Sequence, residues 1–128
     1  MFSKKDKNTI DSLIGISTNI EGNVHFKGGL RIDGHVKGNV IAEAGSSSML
    51  VISEKARIDG EVRAGHIVVN GEINGPVFCS ELIELQTKAK ISGDVHYKAL
   101  EMMNGALVSG NLTHEQLTET VLKLASSN

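Results

Sequence analysis

The sequence predicts one all-β domain built as a β-helix, or β-solenoid, in which short strands coil into stacked windings. Three observations lead to this prediction. A five-residue motif of the form apolar-x-Gly-x-apolar occurs six times, its glycines recur about every 17 residues, and short apolar segments recur between the motifs at a similar interval. The chain of 128 residues suffices for one domain, and 40% of it is hydrophobic, so a core can form.

The motif has the period-2 alternation of a strand, with Ile or Val on one face and polar residues on the other. We expect its glycine to face inward, where a missing side chain permits a bend or a close backbone approach. Successive glycines are 16, 22, 15, 18 and 17 residues apart, and the long step contains Gly45-Ser46-Ser47-Ser48, which predicts a loop insertion. The six copies are Ile20–Val24, Val36–Val40, Ile58–Val62, Ile73–Val77, Ile91–Val95 and Val108–Leu112.

The apolar segments between the motifs predict that each winding holds about three short strands joined at corners. These segments are Leu50–Ile52, Ile67–Val69, Leu82–Leu85 and Ala99–Met102. An alternative is an antiparallel barrel or sandwich, because pairs such as Asp33-Gly34 and Asn70-Gly71 are typical of hairpin turns. Hairpins, however, would not require a near-constant period with Ile and Val at fixed offsets.

Stacked windings place equivalent residues on neighbouring strands, so the sequence predicts two outward ladders whose charges partly alternate in sign. The first consists of Glu21, Lys37, Asp59, Asn74, Ser92 and Ser109, and the second of Asn19, His35, Arg57, Glu72, Lys90 and Leu107. Opposite charges on adjacent strands contribute only about 0.2–1 kcal/mol each, so the ladders serve mainly as a check on the register.

The chain divides into a flexible basic segment at 1–12, a β-helix core at 13–112 and a tail at 113–128. In the tail, Leu117, Val121 and Leu124 have helical spacing and Thr113 with Gln116 resembles a capping box, so we expect a marginal helix or disorder. The single cysteine, Cys79, excludes an internal disulfide and favours a reducing compartment. No apolar run approaches the roughly 20 residues of a membrane span, so the expected location is the cytoplasm.

The sequence predicts no catalytic residue, no metal site and no cofactor. His25 and His96 fall on one ladder in the first and fifth windings, about 19 Å apart at about 4.8 Å per winding, too far to share a metal. His35 falls on another ladder, His66 in a connecting stretch and His114 in the tail. We interpret Cys79 as a small buried hydrophobic residue. The sequence contains no Gly-Lys-Ser or Gly-Lys-Thr phosphate loop. A net charge of −2 and 3% aromatic residues argue against nucleic acid as a partner.

The two ends of the solenoid are the first candidate for function. A stack of parallel windings exposes unpaired backbone donors and acceptors at its first and last windings, and no long folded cap is evident at either end. We therefore expect the chain to associate with itself end to end. The candidate contact residues are Ile20, Val24 and Phe26 in the first winding and Met102, Met103, Leu107, Val108 and Leu112 in the last.

The N-terminal segment is the second candidate, as a membrane-targeting sequence. Each Lys contributes about 1 kcal/mol near an anionic surface and burial of Phe2 about 2 kcal/mol, a total of roughly 4 kcal/mol after a discount for Asp6. One chain would bind only with roughly millimolar affinity, whereas a polymer that displays many copies would bind firmly. The residues concerned are Met1, Phe2, Lys4, Lys5 and Lys7.

The opening Met-Phe-Ser-Lys-Lys, the lead-in Leu13-Ile14-Gly15 and the repeated Ile-x-Gly-x-Val units resemble the bactofilins, a family of bacterial polymer-forming cytoskeletal proteins. The resemblance implies a right-handed β-helix of about six windings and assembly, without nucleotide, into filaments that lack polarity. It also implies attachment to the inner face of the cytoplasmic membrane through Phe2, Lys4 and Lys5. Bactofilins act as scaffolds that position cell-wall synthases, peptidases or cell-shape factors.

An enzyme is the alternative: a hexapeptide-repeat acyltransferase or the related carbonic anhydrase, both left-handed β-helices with about 18 residues per winding. Their active sites need histidines that converge between subunits, and their repeat places an aliphatic residue every six positions. Here the motif occurs once per winding and the histidines are scattered.

Overall fold

A computed structural model describes residues 9–45 and 47–115 of the chain. All regular secondary structure in these ranges is β-strand, and the chain forms sixteen strands there. They are β1 (Ser12–Ile14), β2 (Asn19–Glu21), β3 (Val24–Phe26), β4 (Gly28–Ile32), β5 (His35–Lys37), β6 (Val40–Ala42), β7 (Ser48–Ile52), β8 (Arg57–Asp59), β9 (Val62–Val69), β10 (Glu72–Asn74), β11 (Val77–Leu85), β12 (Lys90–Ser92), β13 (Val95–Tyr97), β14 (Ala99–Met102), β15 (Leu107–Ser109) and β16 (Leu112–His114).

The strands coil into about six windings, each with strands on three faces. Face 1 contains β1, β4, β7, the second half of β9, the second half of β11, and β14. Face 2 contains β2, β5, β8, β10, β12 and β15. Face 3 contains β3, β6, the first half of β9, the first half of β11, β13 and β16. The long strands β9 and β11 continue around the corner from face 3 to face 1, and β11 has an irregular register between Cys79 and Leu82.

Strands of successive windings pair in parallel throughout the described residues. A hairpin requires antiparallel neighbours. The alternative of an antiparallel barrel or sandwich is therefore wrong, and the predicted all-β β-helix of about six windings is confirmed.

The core consists of columns of inward side chains that run along the stack. The first position of the motif supplies one column, whose inner members are fully or almost fully buried, whereas its two end members are only partly buried. From first winding to last, this column is Ile20, Val36, Ile58, Ile73, Ile91 and Val108. Full burial of an Ile or Val stabilises by about 1.5–3 kcal/mol, so each winding depends on a neighbour on both sides for this contribution.

The motif glycines lie at the corner between face 2 and face 3. At Gly38, φ is 153°, and a Cβ atom would lie 2.2 Å from the carbonyl oxygen of Gly22 in the preceding winding. Gly60 stands in the same relation to Gly38, also at 2.2 Å. The expected close backbone approach is confirmed, but the expectation that the glycine faces inward is wrong. The missing side chain would point along the stack, into the backbone of the neighbouring winding.

Both outward ladders predicted for face 2 are confirmed residue by residue in the strand register. The bonds between side chains run both between the two ladders and along one of them. The Asp59 carboxylate is 2.7 Å from His35 Nε2 and accepts hydrogen bonds from Asn74 Nδ2 at 2.8 Å and Arg57 Nε at 3.1 Å. These bonds connect three successive windings on the surface of face 2.

The residue directly after the motif glycine forms a third ladder, in which its side chain accepts a hydrogen bond from the backbone of the following winding. The backbone N–H of Asn39 donates to Asn23 Oδ1 at 2.9 Å, and that of Glu61 donates to Asn39 Oδ1 at 2.8 Å. The next position is Pro76, which has no N–H, so the series is interrupted there. It resumes with the next copy of the motif after Pro76, where Asp94 Oδ1 accepts a hydrogen bond from a backbone N–H of the following winding at 2.9 Å.

The long step between glycines is part turn and part strand. Gly45 lies in a turn with φ of 82°, as expected of an insertion, and Ser46 lies outside the described residues. Ser48 begins β7 and is buried, and its Oγ accepts a hydrogen bond from the backbone N–H of Gly65 at 2.8 Å. The loop prediction is therefore wrong for Ser48, because this hydroxyl satisfies a buried donor at the bend of β9.

The strands extend from Ser12 to His114, so β16 includes Thr113 and His114, which the sequence analysis placed in the tail. The predicted basic segment lies mostly outside the described residues, and so does the predicted helix after Thr113. Both remain predictions.

Candidate interfaces at the ends of the solenoid

The first and last windings each leave one edge of their strands without a partner within residues 9–45 and 47–115. At the N-terminal end, β1, β2 and β3 pair only with β4, β5 and β6. At the C-terminal end, β14, β15 and β16 pair only with β11, β12 and β13. Open parallel edges of this kind can pair with another chain.

The N-terminal end presents the apolar side chains that the sequence analysis named. Ile20, Val24 and Phe26 occupy inward columns and pack on the core, but they are only partly buried, because no described winding precedes them. Gly22 lies in the same winding, and a Cβ added to it would meet nothing within 4 Å. This end therefore combines apolar side chains with an accessible backbone.

The C-terminal end divides the named residues into two groups. Met102 and Leu112 continue inward columns and are 47% and 43% exposed, and Val108 beside them is partly buried. Leu107 instead continues the outward ladder of face 2 beyond Lys90, and Met103 follows the last residue of β14. The structure thus brings Met102, Val108 and Leu112 together on the end face, whereas Leu107 lies on its outer rim.

The predicted membrane-targeting residues, Met1, Phe2, Lys4, Lys5 and Lys7, lie outside the described residues. Within the described ranges, no helix has the length and apolar character needed to cross a membrane.

Three histidines each contact one carboxylate on the outer surface. His35 pairs with Asp59 at 2.7 Å, and His66 Nε2 is 2.6 Å from the Glu84 carboxylate. His66 lies within strand β9 on face 1, not in a connecting stretch as expected, and His96 Nδ1 is 2.7 Å from the Glu115 carboxylate. In the described part of the chain, no three His, Cys, Asp or Glu residues are placed to hold a metal ion together.

His25 and His96 share a ladder on face 3, as predicted, in the first and fifth windings. Between them lies a stack that the sequence analysis missed. The Phe78 and His96 rings lie 4.6 Å apart with planes inclined by 6°, and the Arg63 guanidinium lies 3.9 Å from the centre of the Phe78 ring. The sequence contained a signal for this stack, because Arg63, Phe78 and His96 occupy equivalent ladder positions in successive windings.

The pKa values of Asp59 and Cys79 are shifted for clear physical reasons. The hydrogen bond from His35, followed by that from Asn74, lowers the pKa of Asp59 from 3.8 to about 2. Burial raises the pKa of the Cys79 thiol from 9.0 to about 11, and its Sγ donates to the Gly65 carbonyl at 3.1 Å. A protonated, buried thiol is a poor nucleophile, which agrees with the interpretation of Cys79 as a small core residue.

Two shallow grooves lie on the sides of the solenoid. One, of about 480 Å³, runs along the edge of face 1 and is lined in part by Ile16, Val51 and Val68. The other, of about 310 Å³, lies at the corner between faces 3 and 1, beside Phe78 and Cys79. No histidine lines either groove; the first contains the carboxylates of Asp33 and Glu54, and the second those of Glu43 and Glu115.

Comparison with known proteins relates this architecture to one family. The model of the bactofilins, described as polymer-forming cytoskeletal proteins, matches residues 12–113, nearly the whole series of strands. Bactofilin BacO of Myxococcus xanthus (strain DK1622) is 22% identical over 111 residues, which cover 87% of this chain and 85% of the relative. A cryo-EM reconstruction of Thermus thermophilus bactofilin double helical filaments matches with a TM-score of 0.74 and 29% identity, covering 80% of this chain and 98% of that chain.

These matches confirm the resemblance noted in the motifs. They also decide between the two families considered from the sequence, because the family model that spans the core is that of the cytoskeletal polymers and not of the hexapeptide-repeat enzymes. The chain belongs to the bactofilins, a family of polymer-forming cytoskeletal proteins.

Proposed function

We propose that this bactofilin assembles end to end, without nucleotide, into filaments that lack polarity, and that these filaments form a scaffold on the inner face of the cytoplasmic membrane. The observation that supports this most directly is the pair of open ends, where Met102 and Leu112 at one end and Phe26 at the other leave inward columns incomplete. Stacking a second molecule on either end would bury these side chains and pair the free strand edges.

The two ends present different side chains, so the orientation of neighbours has consequences for the filament. If each end binds the same end of another copy, every contact has a twofold axis and the two ends give two different symmetric contacts. A filament built by alternating these contacts has no polarity. None of the described residues forms a Gly-Lys-Ser or Gly-Lys-Thr phosphate loop, and the assembly we propose needs no bound nucleotide.

The end contact is tested by Val108→Arg, which places a charge in the last position of an inward column. We expect wild-type protein to form filaments in electron micrographs without added nucleotide, and the variant to sediment as short oligomers with an unchanged far-ultraviolet circular dichroism spectrum. Ser92→Arg, on the exposed surface of face 2 one winding away, is the matched control and should still form filaments. Unchanged filaments from Val108→Arg would contradict the end contact.

Membrane attachment in this proposal depends on assembly. The basic segment with Phe2 binds weakly as one copy, and a filament multiplies it. We expect wild-type filaments to co-sediment with liposomes that contain anionic lipid, and deletion of residues 2–7 to release them. Val108→Arg, which keeps the segment but not the polymer, should also bind poorly. Full co-sedimentation of the deletion variant would overturn the role of the segment.

The scaffold would position cell-wall synthases, peptidases or cell-shape factors, as the family resemblance implies.

We further propose that the filaments associate side by side in pairs, as in the double helical filaments of the Thermus thermophilus relative. Such pairing requires a lateral surface in addition to the two ends.

A further inference from the structure

The three side faces of the solenoid differ in polarity. Face 2 exposes the two predominantly polar ladders that end at Ser109 and Leu107. On face 3, the ladder from His25 to Thr113 includes Arg63, Phe78 and His96, which already stack on one another. Face 1 is different because most of its outward residues are apolar, so it is the face whose exposure to water is least favourable.

The outward residues of face 1 form two columns. One consists of Leu13, Arg31, Val51, Val68, Glu84 and Glu101, and the other of Met49, His66, Leu82 and Ala99. Four of the apolar members in the middle windings, Met49, Val51, Val68 and Leu82, point away from the core and remain partly accessible to solvent. The groove beside Val51 and Val68 continues this apolar surface towards Ile16, which is 64% exposed.

Two of the three charges in the first column, Arg31 and Glu84, lie symmetrically about its apolar centre, and the third, Glu101, lies at the end of the column. Arg31 lies one winding before Val51, and Glu84 lies one winding after Val68. A twofold axis between Val51 and Val68, perpendicular to the solenoid and parallel to the face, exchanges the positions of Arg31 and Glu84. Two copies related by this axis place Arg31 of each opposite Glu84 of the other, with the valines between them.

We infer that two filament strands, each a row of molecules joined end to end, contact each other laterally through face 1. The molecules meet across this face in antiparallel orientation. This inference rests on the proposed side-by-side pairing and names the surface and the orientation that achieve it. A parallel arrangement would place Arg31 opposite Arg31 and Glu84 opposite Glu84, and like charges at close range are repulsive.

Arg31 and Glu84 can each bond to the other copy in addition to the bond that each makes within its own molecule. Arg31 Nε donates to Asp33, but the side chain is 50% exposed and a guanidinium carries five N–H donors. Glu84 is bonded to His66 through Oε2, which leaves Oε1 as an acceptor. End-to-end assembly repeats the lateral contact along the whole length of a pair of filament strands, which strengthens it by effective concentration.

The apolar centre is tested with Val68→Glu in the full chain, compared with Ser92→Glu on face 2. The measurement is the number of strands per filament in electron micrographs, together with the mass per unit length. We expect two-stranded filaments for wild type and Ser92→Glu, and single strands with about half the mass per length for Val68→Glu. Two-stranded filaments from Val68→Glu, with the variant folded by circular dichroism, would overturn the assignment of face 1.

The orientation is tested by charge reversal. Arg31→Glu alone and Glu84→Arg alone should each produce single strands, and the double variant Arg31→Glu/Glu84→Arg should restore pairs. Pairing that survives each single reversal, while Val68→Glu abolishes it, would overturn the antiparallel orientation. Wild-type filaments that are single would instead overturn the proposed pairing itself, and the absence of any wild-type filament would overturn the proposed end-to-end assembly.

Discussion

At the scale of single residues, the glycine of the motif carries the tightest constraint in the fold. In the first five of its six copies the backbone has a positive φ, and from the second copy onward the missing side chain leaves room for the carbonyl group of the preceding winding. The first copy, Gly22, shares the conformation with φ of 128° but has no winding before it among the described residues. The same motif residue therefore has two separable roles, conformation and close approach.

We expect Gly60→Ala to destabilise the protein by more than about 3 kcal/mol, because the new methyl group would collide with the Gly38 backbone. Gly22→Ala has only backbone strain to overcome, which costs about 1–2 kcal/mol. Urea unfolding followed by circular dichroism measures both. Equal losses for the two variants would show that conformation alone, and not the approach of the windings, explains the glycine.

Asp59 gives the surface of face 2 a dependence on pH. Its folded pKa of about 2 lies below the ordinary 3.8, so its hydrogen-bonded carboxylate contributes stability above about pH 4 that is lost as the pH falls towards 2. We expect the urea midpoint of wild type to fall over this range more steeply than that of Asp59→Asn. Ser109→Ala, which alters an exposed side chain of the same ladder that does not titrate, serves as the control, and it should keep the wild-type slope.

At the scale of elements, the two long strands distinguish the middle of the solenoid from its ends. Strands β9 and β11 each turn the corner between face 3 and face 1, where other windings use two separate strands. The bend of β9 is supported by Ser48, whose buried hydroxyl accepts from the Gly65 N–H. A polar residue beside the insertion thus holds the corner of the following winding.

Ser48→Ala should cost about 1–2 kcal/mol, because it leaves the Gly65 N–H buried without its acceptor. Ser92→Ala removes an exposed hydroxyl from face 2 and should change stability by less than about 0.5 kcal/mol. Thermal unfolding of both variants provides the comparison. A Ser48→Ala protein as stable as the control would mean that another group satisfies the Gly65 donor.

At the scale of the whole molecule, the fold is a stack whose inner windings are buried on both sides and whose end windings are not. Ile20 and Val108 occupy the same inward column as the fully buried Ile58 and Ile73, yet they are only partly buried, because they lie in the first and last described windings. Stability and assembly are therefore linked, since polymerisation would give the end windings the neighbours that they lack within residues 9–45 and 47–115.

This link predicts that the unfolding temperature of the wild-type protein rises with protein concentration, because assembly binds the folded state and not the unfolded one. Val108→Arg, which should assemble poorly, should show a lower unfolding temperature with little dependence on concentration. Differential scanning calorimetry at two concentrations measures both. A wild-type midpoint that does not move with concentration would contradict the link.

Much of this architecture followed from the sequence. The spacing of the glycines and the period-2 alternation predicted the windings, the three strands per winding and the register of both ladders on face 2, because parallel stacking places equivalent residues at equivalent positions. The sequence also indicated a buried Cys79 and an apolar set of residues at each end. It misplaced Ser48 and His66, since neither has a local pattern that marks it as part of a strand.

The tertiary structure decided what depends on neighbours across windings. It showed that the glycine accommodates a backbone along the stack, that Leu107 lies on the rim while Val108 lies on the end face, and that the apolar outward residues of face 1 form one surface. These properties arise from the third dimension of the stack, since Val51 and Val68 come from different windings and meet only when the windings pair. Repetition in the sequence determined the solenoid, and the contacts between its copies determined which of its surfaces remain available for assembly.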